Sequence, residues 1–125
     1  MELKEINEVT RRIIGCAIAV HRELGPGQFE STYSAALEIA FREDGWKFRM
    51  EASIPVRYKQ RVIGFCRPDF IVEEAVVLEV KRTDWLDTAA RVQILNYLRV
   101  TGRKVGLLIN FRTHPLKRGI RRFIL

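Results

Sequence analysis

Asp69 stands ten residues before Glu79, and Lys81 follows two residues later at the end of the apolar run Ala75-Val76-Val77-Leu78-Glu79-Val80-Lys81. A run of this kind predicts a buried strand, where an unpaired carboxylate or ammonium is costly to bury. Side chains alternate along a strand, so Val76, Leu78 and Val80 face one way while Val77, Glu79 and Lys81 face the other, acid beside amine. Carboxylates delivered by adjacent strands are the hard oxygen ligands that magnesium prefers, water and a substrate phosphate filling the remaining positions. Magnesium, or manganese in its place, polarises a phosphodiester and acidifies a bound water. An adjacent ammonium such as Lys81 can orient that water or stabilise charge growing on phosphorus. Pro68 fixes an extended approach to Asp69, and the carbonyl of Val80 is a candidate further ligand.

These residues need a sheet to carry them. Ile6, Val9, Ile13, Cys16, Ala17 and Val20 recur at three- and four-residue steps, which predicts an amphipathic helix over the first 24 residues or so, broken by Gly25-Pro26-Gly27. A second helix is predicted from about Gln28 to Asp44, with Phe29, Tyr33, Ala36, Leu37 and Ala40 inward and Gly45 as its stop. Lys47 to Tyr58 alternates apolar and polar residues and predicts one strand with a wet face, Pro55 marking an edge or a bulge. A turn at Lys59-Gln60, strands at Arg61–Cys66 and around Asp69–Val72, a Glu73-Glu74 turn and the strand Val76–Lys81 then complete an antiparallel meander. Thr83-Asp84 or Asp87-Thr88 can cap a third helix, which runs to about Thr101 and ends at Gly102. Val105–Ile109 predicts a buried strand parallel to Val76–Lys81, since a strand, a crossover helix and a strand is the usual route to a parallel neighbour. Residues 119–125 add a last strand or pack as a tail. The sum is an α/β (α+β) chain with a mixed sheet flanked by helices, in the order α-α-β-β-β-β-α-β.

With 125 residues, 47% of them hydrophobic, the chain predicts a single domain over 1–125 that buries roughly two-thirds of its unfolded surface. No stretch approaches the roughly 18 uncharged apolar residues of a membrane span, and the N-terminus lacks the order of a secretion signal, so no membrane association and a cytoplasmic location are expected. Cys16 and Cys66 stand far apart, which argues against a disulfide scaffold or a zinc knuckle and for reduced, packed thiols. No Asp or Glu follows Asp87, and the whole net charge of +7 lies in residues 103–125. Such one-sided charge suggests a polyanionic partner, nucleic acid first among them. His21 and His114 belong to no ligand-like pair and are placed outside the site.

Pro68-Asp69 followed by Glu79-Val80-Lys81 resembles the bipartite signature of the PD-(D/E)XK nuclease superfamily. Gly27-Gln28-Phe29-Glu30-Ser31-Thr32-Tyr33 resembles the motif of the small prokaryotic GxxExxY proteins assigned to it, and Gln93-Ile94-Leu95-Asn96-Tyr97 is similar to the Q-x-x-x-Y motif of its RecB-like branch. The resemblance runs from about Ile6 to Phe111 and implies a restriction-endonuclease-like core. It also implies magnesium-dependent hydrolysis of DNA or RNA, with Asp69 and Glu79 on the metal, Lys81 assisting the attacking water and Glu30 supporting the metal shell. Gln93 and Tyr97, four apart on one helix face, would orient the site or the strand; Tyr33 shares a face with Glu30 and reads either as part of this group or as core. The basic C-terminal stretch would hold phosphates, which fix position rather than sequence. The alternative is a nucleic-acid- or partner-binding module that keeps the nuclease fold without turnover. Cutting both strands of a duplex needs two sites, for which a symmetric homodimer would serve.

Overall fold

The computed structural model describes residues 1–84 and 88–125. The first amphipathic repeat forms α1 (Leu3–Leu24) and the second α2 (Glu30–Glu43), with Gly25 between them at a φ of 74°, a conformation that favours glycine. The strands are β1 (Phe48–Met50), β2 (Ile54–Tyr58), β3 (Arg61–Cys66), β4 (Phe70–Val72) and β5 (Val76–Lys81). They are followed by α3 (Thr88–Thr101), β6 (Val105–Asn110), a short 3₁₀ turn (Leu116–Gly119) and β7 (Ile120–Ile124). Five strands form one mixed sheet in the order β1-β4-β5-β6-β7, in which β5 and β6 run parallel and the other neighbours antiparallel. The expected helix–strand order and mixed sheet are therefore present, as is the crossover through α3. Of the two expected caps of that helix, Asp87 lies outside the described residues.

The segment from Lys47 to Tyr58 departs from expectation. It is two strands, not one: the chain turns at Glu51, whose φ is 50°, so that β1 stays in the main sheet and β2 pairs only with β3. Pro55 has no N–H to donate and is tolerated in β2 because that ribbon has a single ladder, with a register shift between Val56 and Arg57. The meander of the main sheet is thus β1-β4-β5, and the β2–β3 hairpin stands apart from it. Lys59-Gln60 and Glu73-Glu74 turn the chain as expected, all four residues with positive φ. Phe29 corrects a second expectation: it precedes α2 and is 74% exposed, while Phe41 takes the inward place instead.

Two apolar layers sandwich the sheet. Ile6, Ile13, Ala17, Tyr33, Leu37 and Phe41 of α1 and α2 pack on one face with Val76, Leu78, Val80, Leu107 and Ile109. On the other face Ile94, Tyr97 and Leu98 of α3 meet Ile71 and Val77, with Ile54 and Cys66 of the hairpin against them. Gly106 permits the close approach of α3, because a Cβ there would sit 2.9 Å from the Ile94 side chain. Glu79 alternates with Val80 and so belongs to the α3 side.

Candidate functional site

Phe70 pairs with Leu78, and one residue further along the same register Asp69 faces Glu79. The backbone N–H of Asp69 donates to Glu79 Oε1 at 2.8 Å, and the N–H of Val80 donates to Asp69 Oδ2 at 2.7 Å. Each carboxylate is therefore oriented by the backbone of the opposite strand. Glu79 is only 4% exposed. Burial, and then the charge of Asp69, push its pKa from the ordinary 4.5 to about 8. Asp69 is raised as well, first by burial, against the Val80 N–H and the Lys81 charge, which act in the opposite direction. A buried and a half-buried acid that repel each other and bring oxygen donors from neighbouring strands suit a hard cation.

Lys81 is half-buried on the same strand face. Its Nζ donates to Gln93 Oε1 at 2.9 Å, and Gln93 Nε2 donates to the Tyr97 hydroxyl at 3.1 Å. Because Gln93 and Tyr97 lie one helical turn apart on α3, the three residues form a chain running from the end of β5 onto the helix. Burial, with the Glu79 charge next, pushes the Tyr97 phenol up to about 12, so it stays neutral and donates or accepts as a hydroxyl.

Glu30 opens α2 and reaches the far end of β5 from the opposite layer, its Oε2 accepting the N–H of Arg82 at 3.2 Å. Its charge helps to raise both Asp69 and Glu79. Among the described residues, no three His, Cys, Asp or Glu side chains are gathered closely enough to hold a metal ion. Asp69 and Glu79 face each other across the β4–β5 ladder, while Glu30 is held at the Arg82 backbone and does not complete a cluster with them. Tyr33 is fully buried, its ring stacked on Phe111 at 4.3 Å between centroids. Its hydroxyl donates to the Gly25 carbonyl and accepts from the N–H of Gln28 at 3.1 Å. It pins the corner that leads into Glu30, an orienting contact made through the backbone.

Asn110 was not legible as a site residue. It ends β6 opposite Lys81 and is 2% exposed. Its Nδ2 donates to the Thr83 carbonyl at 2.9 Å, and its Oδ1 accepts the N–H groups of Thr83 and Arg112 at 3.1 and 3.2 Å. The segment that leaves β5 is thereby clamped. The only sequence signal was an amide closing an apolar run.

Four of the basic C-terminal residues have partners within the chain. Arg103 pairs with Glu74, Arg112 with Asp84, Arg122 bonds Asn7, and Arg121 caps backbone carbonyls. His21 and His114 do come together, their rings stacked at 5.9 Å, but the His21 Nε2 is held by the Phe111 carbonyl at 3.1 Å. Both cysteines are free thiols. No helix among the described residues is long and apolar enough to cross a membrane.

A family model described as the PD-(D/E)XK nuclease superfamily matches residues 7–123. Neither the curated proteins nor the solved structures gave a match.

Proposed function

Because the chain belongs to the PD-(D/E)XK nuclease superfamily, we propose that it is a metal-dependent nuclease hydrolysing phosphodiester bonds in DNA or RNA. Asp69 and Glu79 would hold magnesium or manganese, with the Val80 carbonyl as a further oxygen donor. The observation that carries this reading is the facing pair of carboxylates, Glu79 buried and Asp69 half-buried, each fixed by the other strand's N–H and each raised in pKa chiefly by burial. Two carboxylates are what a magnesium site in a phosphoryl-transfer enzyme commonly offers, substrate oxygens and water completing it. When bound, the ion supplies Lewis-acid polarisation of the phosphodiester and an acidified water.

The remaining roles fall to this chain's own side chains. Lys81 presents its ammonium toward the attacking water and the growing charge on phosphorus, and the Gln93 acceptor fixes its direction. Tyr97 holds Gln93 in turn. Glu30 fixes the Arg82 backbone just beyond Lys81 and adds negative charge that favours a cation at the pair. The corner tied by Tyr33, with Gly27 and Glu30, supports placing the chain with the GxxExxY proteins, and the whole of 1–125 as one domain.

Cleavage of mixed duplex, single-stranded and RNA pools should require magnesium or manganese. It should be lost in Asp69→Ala and Lys81→Ala, while circular dichroism stays that of the parent. Undiminished cleavage in both variants would remove the assignment; nucleic-acid binding that persists in EDTA with no cleavage by the parent would favour the non-catalytic module.

A further inference from the structure

A cleft of about 530 Å³ lies between the β2–β3 hairpin and the C-terminal half of α3. Arg49, Arg57, Arg99 and Arg103 line it, and among the described residues no carboxylate does. Glu74 neutralises Arg49 and Arg103 from one end, at 2.8 and 2.6 Å. Arg57 and Arg99 have no acidic partner among the described residues and line the cleft from the hairpin and from the helix. The hairpin wall is Ile54, Pro55, Val56 and Arg57, and beyond it residues 52–68 carry Lys59, Arg61 and Arg67 as well, without one acid.

The cleft continues the site. Gln93, which holds the Lys81 ammonium, lies on the helical stripe that leads through Asn96 and Val100 into the cleft, and both of these line it. From Gln93 to Arg99 is six residues, or about 9 Å along the helix axis. A nucleic-acid strand covers that distance in about two to three nucleotides at the roughly 3.4 Å spacing of its charges in a duplex. The volume is that of a site for a drug-sized molecule, room for a nucleotide or two of one strand and not for a duplex.

We propose that this cleft is a track for the phosphodiester backbone of a single nucleic-acid strand, with Arg57 and Arg99 seating phosphates on one side of the scissile one. The substrate class is then nucleic acid with a single-stranded stretch, DNA or RNA alike. This rests on the nuclease reading for the position of the scissile bond, but strand binding in EDTA needs no turnover and is measured separately.

The test is fluorescence anisotropy in EDTA with a short labelled mixed-sequence single strand and the matching duplex, over a series of salt concentrations. The variants are Arg57→Gln/Arg99→Gln and the charge-keeping Arg57→Lys/Arg99→Lys; both arginines are exposed, so the fold is untouched. The glutamine pair should bind the single strand about tenfold or more weakly. The slope of log K against log salt should become shallower by about 1.4, the loss of two phosphate contacts. The lysine pair should keep the parent slope, and the parent should prefer the single strand over the duplex. Unchanged affinity and slope in the glutamine pair, or a parent without preference for the single strand, would overturn the proposal. If the cleft behaves as described while no nucleic acid is ever cut, the proposed chemistry fails and the track stands.

Discussion

Glu79→Gln is expected to stabilise the metal-free protein near pH 8 and to leave it unchanged near pH 4. The carboxyl has an ordinary pKa of 4.5, raised in the fold to about 8 by burial and by the facing Asp69. A raised acid binds its proton more tightly in the folded state, so its contribution to stability is whole below about pH 4.5. That contribution is lost progressively as pH rises to about 8, beyond which no more is lost. At about 1.4 kcal/mol per pH unit the interval from 4.5 to about 8 amounts to something on the order of 5 kcal/mol. Glutamine keeps an oxygen to accept the Asp69 N–H and carries no charge, so the variant escapes this loss and also relieves Asp69. Urea unfolding in EDTA at several pH values measures it, as a shift of midpoint at constant slope. Magnesium at a hundred times its Kd should then return about 2.7 kcal/mol to the parent and little to the variant. The same pH dependence in parent and variant would show that Glu79 is not the buried, repelled acid described, and the electrostatic case for a cation at this pair would go with it.

Asn110→Ala removes the side-chain bonds to the N–H and the carbonyl of Thr83 and should cost about 1–3 kcal/mol of unfolding free energy. Cleavage should fall as well, because the segment following Lys81 loses its clamp; a variant as stable and active as the parent would refute the clamp. Tyr33→Phe deletes the bonds to Gly25 and Gln28 and should cost about 1 kcal/mol. Hydrogen exchange should speed up at the Gln28 amide while the ring stack on Phe111 is kept, and an unaltered exchange rate there would count against the pinned corner.

Much of the fold was legible because single segments carry their own period. The face Ile6-Val9-Ile13-Cys16-Ala17-Val20 is buried as read, and the strands Arg61–Cys66 and Val76–Lys81 have the bounds expected of them. What misled was alternation without context. Phe48, Met50, Ile54 and Val56 share a period of two, yet belong to two ladders, because a positive φ at Glu51 breaks the run and pattern alone does not report it. Phe29 fits the helix face by spacing, but it stands before the first turn and is exposed, which spacing does not reveal. At the site, Asp69, Glu79 and Lys81 stood out as charges in an apolar setting. Asn110 did not, since an amide's worth depends on which backbone groups it meets, and Thr83 is 27 residues away. The arginine cleft was hidden for the same reason: Arg57 and Arg99 belong to different elements, whereas the sequence drew attention to the acid-free C-terminus.

The chain leaves the main sheet after β1 and returns to it at β4, and its two crossing points touch, the Glu51 N–H donating to the Asp69 carbonyl at 3.1 Å. Everything between, including the whole β2–β3 hairpin, is an excursion with a closed neck. Its base is tied to α3 by Ile54 and Cys66, so the part that can change in length and composition without moving the carboxylate at the neck is the tip around Lys59-Gln60. Exchanging residues 58–62 is therefore the way to vary the ribbon and leave the pair where it is.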